Sequence, residues 1–130
     1  RIINLFPPFQ HPLILMQLSM ILEGVISLRL IPRKDKPGRI PAVEVMMASP
    51  TVRQLLAEGR TQELYAAIRD GEYFGSQTFN QALLKLYQQG HVSKEEALRA
   101  ADNPDEMELV FKGITRGIHQ GVMENPGGRR

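Results

Sequence analysis

Cysteine is absent from this 130-residue chain, and its absence excludes several classes of protein. Without cysteine the chain has no disulfide framework, no thiolate metal site and no cysteine nucleophile. This fits a reducing compartment. Apolar residues make up 42% and charged residues 23% of the chain, as is ordinary for a soluble protein. The length suits one domain with a modest core.

Long apolar runs and a leader pattern are also missing. The most apolar stretch opens with only four unbroken apolar residues, 13–16, whereas a membrane-spanning helix needs about 20 mostly apolar residues. The sequence therefore predicts no transmembrane segment. Arg1 is followed at once by apolar residues, without a charged segment and a cleavage site. We interpret this start as a position inside a longer protein, with a processed terminus as the alternative.

The motifs that would mark an active site are absent. The chain contains no G-x-x-x-x-G-K-[ST] phosphate loop, no G-x-S-x-G, no H-E-x-x-H and no EF-hand pattern. The histidines His11, His91 and His119 stand in separate elements without metal-ligand spacing. Glu95 and Glu96 are adjacent, but successive helical residues point apart, and a position in a first helical turn explains both. We expect no catalytic, cofactor-binding or metal-binding residue in this chain.

A crowded helix and a β-hairpin are predicted for the first part of the chain. Apolar residues cover most of the circumference of a helix over 13–25, so this helix is expected to be buried on nearly every side. The remaining residues are not expected to cover it alone. Residues 27–31 and 39–46 read as strands, and K-D-K-P-G between them is a turn composition.

Basic residues cluster at the predicted hairpin, although the net charge of the chain is only +2. Within eleven residues, Asp35 is the sole acid and the cations are Arg29, Arg33, Lys34, Lys36 and Arg39. Such a cluster could meet an acidic partner, a nucleic acid or an anionic membrane surface. The alternative is a hairpin tip that is merely solvated.

A very short helix follows the hairpin, with clear start and stop signals. Ser49 is a good N-cap, Pro50 suits the first helical position, and Gly59 suits the stop. Three apolar residues share one face by their spacing, and they are Val52, Leu55 and Leu56. Arg53 and Gln54 are left on the flank and the opposite side.

Four more helices are predicted towards the carboxyl end. Their start signals are Thr61, Thr78, Ser93 with Glu96, and Asn103-Pro104. The last helix presents Met107, Val110, Phe111 and Ile114 on one face. From Gly117 onward the composition is typical of a flexible tail.

The segment 80–101 has the outline of a DNA-reading helix-turn-helix. In that motif the second helix enters the major groove by its N-terminal end. Here that end carries Glu95 and Glu96, which repel phosphate. We therefore favour a plain αα-hairpin that packs its apolar stripes together.

Several segments, in order and over about residues 1–112, are similar to one protein family. They include R-I-I-N-L-F-P at 1–7, Q-L-S-M-I-L-E-G-V-I-S at 17–27, L-I-P-R at 30–33, G-R-I-P-A-V-E-V-M at 38–46, T-F-N-Q-A-L at 78–83 and E-E-A-L at 95–98. In addition, S-P-T-V-R-Q-L-L at 49–56 stands where the family carries T-P-A-I-R-N-L-I. The chain thus resembles the PilT/PilU-type twitching-motility ATPases of the type II/IV secretion ATPase family.

This resemblance implies an α/β (α+β) fragment from the C-terminal part of such a protein. Residues 1–47 would close a RecA-like P-loop ATPase core with the hairpin, 48–116 would form a C-terminal helical bundle, and 117–130 the tail. The parent would be a homo-hexameric motor for pilus retraction that uses ATP and Mg. It would lie in the cytoplasm, peripheral to the inner membrane at the pilus base. The fragment itself would bind no cofactor and be inactive alone.

The resemblance also implies a role for the short helix, because the family associates its A-I-R-N-L-I motif with retraction. The matching residues are Thr51, Val52, Arg53, Gln54, Leu55 and Leu56. Arg53 and Gln54 would contact a neighbouring subunit or the inner-membrane platform protein of the pilus, and arginine suits this because its rigid fork makes bidentate contacts. The alternative is that Arg53 pairs with a nearby acid, such as Glu58, on its own surface.

Departures from the family pattern leave the paralogue open. Gln54 replaces an asparagine, Leu56 an isoleucine, Leu15 an arginine and Asn80 an aspartate. No nucleic acid is implied as a partner. A free-standing interaction module of a secretion or pilus system remains an alternative to the motor fragment, and a nucleic-acid-binding domain is a further one.

Overall fold

The computed structural model describes residues 2–113, which fold into one two-stranded antiparallel sheet surrounded by short helices. The helices of eight or more residues are α1 (His11–Ile21), α2 (Pro50–Ala57), α4 (Phe79–Gln88) and α6 (Pro104–Phe111). Shorter ones are α3 (Leu64–Arg69) and α5 (Lys94–Ala100), and single 3-10 turns cover Ile2–Leu5, Pro8–Gln10, Thr61–Glu63 and Glu72–Phe74. The strands are β1 (Gly24–Pro32) and β2 (Arg39–Met47).

Two sequence predictions fall on residues outside this range. They are the place of Ile114 on the last helix and the flexible tail from Gly117. None of the helices within residues 2–113 combines the length and the apolar character that crossing a membrane requires.

The predicted hairpin is confirmed, and it is longer than the sequence indicated. β1 and β2 pair in register from Gly24 opposite Met47 to Pro32 opposite Arg39. β1 begins at Gly24, so Val25 belongs to the strand, and its assignment to the preceding helix was wrong. The helix ends earlier because Leu22 is already extended, with ψ 130°. β-branched side chains such as Val25 and Ile26 favour a strand.

The two faces of the hairpin have different surroundings. Ile31 and Ala42 point to the inner face and are buried, at 3% and 1% exposure. On the opposite face of β1, Ile26, Leu28 and Leu30 are 74%, 59% and 54% exposed. The hairpin therefore has one face packed on this chain and one apolar face left open.

The most apolar helix, α1, is largely uncovered. Only Leu15 and Ser19 of this helix are buried, whereas Met20 and Ile21 are 66% and 71% exposed. The prediction of burial on nearly every side is thus wrong for residues 2–113 taken alone. Within residues 2–113 the other elements leave the helix largely uncovered, which agrees with the expectation that the chain would not cover it alone.

The carboxyl-terminal helices form the main core together with the inner face of the hairpin. The buried residues of this cluster are Ile31, Ala42, Phe79, Ala82, Leu83, Leu84, Val92, Ala97, Met107 and Val110. Leu83 of α4 and Ala97 of α5 lie in the same cluster, as the αα-hairpin interpretation requires.

Most of the predicted start signals are confirmed. Thr78 and Gln81 form a reciprocal capping box at α4. The Ser93 hydroxyl accepts from a backbone N–H at the start of α5, and the Asn103 amide oxygen does the same at α6. Thr61 is the exception. It makes no side-chain cap, because the chain there forms the 3-10 turn Thr61–Glu63 before α3 begins.

Candidate functional site

The short helix α2 is built as its sequence predicts. Ser49 caps it, with its hydroxyl accepting from the backbone N–H of Val52 at 3.3 Å. Pro50 occupies the first turn. Gly59 follows the end of the helix with φ +70°, a left-handed conformation that favours glycine.

One face of α2 is anchored and the other is displayed. Val52, Leu55 and Leu56 are 0%, 6% and 5% exposed. Val52 and Leu56 share a small buried cluster with Leu15 of α1. On the other side Gln54 is exposed. The predicted anchor residues are therefore in place.

Arg53 connects α2 to the end of α1. One guanidinium nitrogen of Arg53 donates to the carbonyl oxygen of Ser19 at 2.9 Å, and another lies 3.8 Å from the carboxylate of Glu23. The alternative that Arg53 pairs with an acid of its own surface is thus borne out by Glu23. Glu58, the acid suggested by the sequence, accepts from Gln54 at 3.0 Å and from Arg60 at 2.8 Å instead. No local pattern in the sequence indicates the contact with Ser19.

Charged side chains are interlinked beyond the end of α2. Arg60 donates to Glu58 at 2.8 Å, and it makes two bonds to Glu63. Hydrogen bonding from Arg60 lowers the pKa of both Glu58 and Glu63 from the usual range. Both carboxylates are thus held in the ionised form, and Arg60 is not free to meet a partner.

A groove opens beside the displayed face of α2. It has a volume of about 410 Å³ and lies between α2 and α3. The residues that line it include Thr51, Gln54, Leu55, Ala67 and Phe74. We call it the α2–α3 groove. It places the two exposed polar residues Thr51 and Gln54 at the edge of a concave surface, which the sequence had not indicated.

The predicted basic cluster divides into paired and unpaired cations. Arg29 is paired: it donates to the carbonyl oxygen of Ala100 at 2.8 Å and to Asp102 at 2.6 Å. Its guanidinium carbon also lies 4.0 Å from the ring centre of Phe79, in cation–π geometry. Arg29 therefore fastens β1 to the helical region and does not belong to the hairpin tip.

Arg33 is also paired within the chain. It donates to both carboxylate oxygens of Asp35, at 2.8 and 2.7 Å. His91 Nδ1 lies 2.9 Å from Asp35 and 3.2 Å from Arg33. The hydrogen bond from Arg33, followed by the contact with His91, holds the pKa of Asp35 well below its usual range.

The other three cations remain exposed. Lys34, Lys36 and Arg39 have no ion pair with any residue of the range 2–113. We call them the tip cations. In the same part of the chain there is no group of three or more acidic or histidine side chains that could hold a metal ion.

A buried polar network, missed by the sequence analysis, surrounds Asn80. This side chain is 0% exposed. Its amide oxygen accepts from the backbone N–H of Asp102 at 3.1 Å, and its amide nitrogen lies 3.4 Å from Glu106. The Tyr65 hydroxyl donates to Glu106 at 2.9 Å. Burial, with help from Glu106, raises the pKa of Tyr65 to about 12.

Comparison with known proteins gives a consistent result. The type IV pilus ATPase PilU of Pseudomonas aeruginosa is 32% identical, over 100% of this chain and 37% of that protein. The type IV pilus retraction ATPase PilT of the same organism is 34% identical, over 81% of this chain and 30% of that protein. A twitching motility protein of Neisseria gonorrhoeae is 34% identical over 82% of the chain. No family profile matches the chain.

Solved structures agree with these relatives. The pilus retraction motor PilT with bound ADP matches 83% of this chain with a TM-score of 0.71 and 36% identity. The Yersinia pseudotuberculosis ATPase DotB matches with a TM-score of 0.62 at 18% identity, which shows a shared fold alone.

The chain spans 29 to 37% of the length of these three curated relatives. Its mixed α/β fold is similar to the C-terminal region of PilT. On the sequence and structural matches together, this chain belongs to the family of PilT/PilU-type twitching-motility ATPases and corresponds to part of their length.

Proposed function

We propose that this chain is part of a hexameric ATPase motor that powers the retraction of type IV pili. The relatives named as pilus ATPases support this, since their similarity extends over most or all of the chain. ATP and Mg would be bound by parts of the motor outside this chain. The motor would work in the cytoplasm, against the inner membrane at the pilus base.

Within the motor, the first role of the chain is subunit packing. Residues 1–47 would belong to a RecA-like core and 48–116 to the helical region that follows it. The open apolar surfaces of α1 and β1 support this role, with Met20 and Ile26 among the most exposed side chains. Exposed apolar patches of this kind mark surfaces that another protein segment covers.

The second role is coupling of the motor to its partner through α2. The observation that carries this proposal is the helix itself: three buried apolar side chains fix it, and Thr51 and Gln54 are displayed beside the α2–α3 groove. Arg53 adds a guanidinium that contacts the Ser19 carbonyl and Glu23, and its side chain remains 32% exposed. A neighbouring subunit or the pilus platform protein would contact this face.

The test is Arg53→Ala in the full-length protein. We expect ATP turnover to stay largely intact, because the nucleotide site lies elsewhere, and pilus retraction to be abolished. ATP hydrolysis and twitching motility would be measured on the same variant. Normal retraction would contradict the coupling role.

Because Arg53 also ties α2 to α1, its loss could act through stability. Gln54→Ala separates the two effects, since Gln54 bonds only the exposed Glu58 among residues 2–113. Coupling predicts impaired retraction with an unchanged melting temperature. Lys112→Ala is the matched control, because Lys112 pairs with Glu108 of α6, and neither residue lines the α2–α3 groove. Impaired retraction in this control would show that the assay reports general damage.

A further inference from the structure

The hairpin tip is fixed in position. The Arg33 N–H donates to the carbonyl of Gly38 at 3.0 Å and closes the turn, and the Lys34 N–H donates to the carbonyl of His91 at 2.9 Å. The Arg33–Asp35 pair and the contact of Asp35 with His91 hold the same turn by its side chains. The tip is thus docked on the connection between α4 and α5, and a partner would not have to order it first.

The tip cations leave an uncompensated positive charge on this fixed turn within residues 2–113. Arg29 and Arg33 have their own acids, whereas Lys34, Lys36 and Arg39 have none among residues 2–113. Three like charges held together on one turn repel each other, and an anionic partner relieves this repulsion. The structure thus separates the cations that stabilise the fold from those that are available for binding.

A cleft begins where the tip ends. It has a volume of about 270 Å³ and lies between the end of β1 and α5. Arg39 and Arg99 both line it, with apolar surface from Leu30 and Pro32 between them. Arg99 bonds Glu96 at 3.1 Å through one nitrogen, and its side chain remains 75% exposed. Two guanidinium groups with donors to spare therefore face one small concave, partly apolar site.

We propose that the tip cations and this cleft bind an acidic peptide segment of a partner protein. Carboxylates of the segment would pair with Arg39 and Arg99, which match carboxylate geometry with their planar forks. Lys34 and Lys36 would attract neighbouring acidic side chains of the same segment. This surface lies on the hairpin and α5, and it is independent of the coupling role proposed for α2.

The shape and charge of the cleft favour an acidic peptide over the other anionic partners. A membrane surface is flat on this scale and does not enter a cleft, whereas single side chains do. Glu96 lines the cleft and Glu95 precedes it on α5. These carboxylates repel a continuous phosphate backbone, while a peptide can place apolar residues beside them.

The proposal is tested by fluorescence anisotropy on the full-length protein at an ionic strength of about 0.15 M, where the Debye length is about 8 Å. The probes are a fluorescein-labelled peptide in which glutamate alternates with leucine, and the matching peptide with glutamine in place of each glutamate. We expect the glutamate peptide to bind at least tenfold more tightly, and added salt to weaken it because exposed charges are screened. Lys34→Gln/Lys36→Gln/Arg39→Gln should lower the affinity about tenfold or more, mainly by removing charge complementarity.

The matched control removes three cations elsewhere: Arg69→Gln/Lys85→Gln/Lys112→Gln. We expect its affinity to stay within about twofold of the unchanged protein, since rim charges act locally at moderate salt. An equal loss in the control would show a net-charge effect and overturn the proposal. Equal binding of the two peptides would also overturn it. So would tighter binding of duplex DNA or of phosphatidylglycerol vesicles through the same three cations.

Discussion

The two halves of the described chain differ in how they use their apolar residues. The helical half, α4 to α6, joins the inner face of the hairpin in a cluster of ten buried residues. Around α1 and α2 the buried cluster has only three, Leu15, Val52 and Leu56. The helical half therefore buries its apolar residues within the chain, whereas the half around α1 and α2 leaves many of them exposed.

The largest expected difference between the halves comes from two leucines. Leu83 is 0% exposed in the main core, and Leu13 of α1 is 59% exposed. Leu83→Ala should lower the free energy of unfolding by about 2–5 kcal/mol, through lost burial and a new cavity. Leu13→Ala should change it by about 0.5 kcal/mol or less. Urea denaturation of the chain measures both, and similar losses would remove the contrast.

Two N-caps allow a finer comparison. Ser49 caps α2 and Thr78 caps α4, where Gln81 completes a reciprocal box. Replacing either cap by alanine should cost about 1 kcal/mol. Each replacement leaves one backbone N–H without its acceptor, but Thr78→Ala should cost more, because it also removes the fully buried methyl group of Thr78. If Ser49→Ala lowered the stability more than Thr78→Ala, the region around α2 would contribute more to stability than the region around α4, which contradicts the comparison.

The hydroxyl of Tyr65 ties α3 to α6 and adds a pH-dependent difference. Tyr65→Phe removes its bond to Glu106 and should cost about 0.5–1.5 kcal/mol at neutral pH. The pKa of Tyr65 is raised to about 12 in the folded chain, against about 10 for an ordinary tyrosine. The unfolded chain therefore loses this proton first as pH rises.

The stability that Tyr65 contributes is consequently complete below pH 10 and falls between pH 10 and about 12. The difference between the unchanged protein and Tyr65→Phe should shrink over this interval. Thermal unfolding of both proteins across the range measures it. A constant difference would mean that the buried hydroxyl does not govern the titration.

The smallest effect is expected on the open face of the hairpin. Leu28 is 59% exposed on β1, so Leu28→Thr keeps a good strand former and should change the stability of the chain by less than about 0.5 kcal/mol. In the full-length protein the same change should be clearly destabilising, because the proposed packing covers this face. Equal, small effects in both would contradict that packing.

Local signals in the sequence predicted the local structure well. Ser49, Thr78 and Gly59 mark helix ends through bonds and backbone angles that involve only the next few residues, and the hairpin follows from its turn composition. The end of α1 was placed too late, because apolar residues at helical spacing continue into Val25 and Ile26, whose β-branching decided for a strand.

What the sequence could not predict depends on contacts between distant segments. Arg53 meets the Ser19 carbonyl, 34 residues earlier, and Arg29 meets Asp102, 73 residues later. Every residue has a backbone carbonyl, so the sequence does not indicate which carbonyl a distant arginine contacts. For the same reason the α2–α3 groove and the cleft beside Arg39 were not predicted, although the residues that line them were singled out in part.

The open face of β1 is accompanied by an open edge. Within residues 2–113 the sheet has two strands, so β1 is hydrogen-bonded along one side only. Along the other side, the outward-pointing backbone N–H and C=O groups of Gly24–Pro32 make no ladder hydrogen bond within residues 2–113. An unpaired strand edge is a template for pairing with another chain, so we expect a concentrated solution of the isolated chain to associate edge to edge.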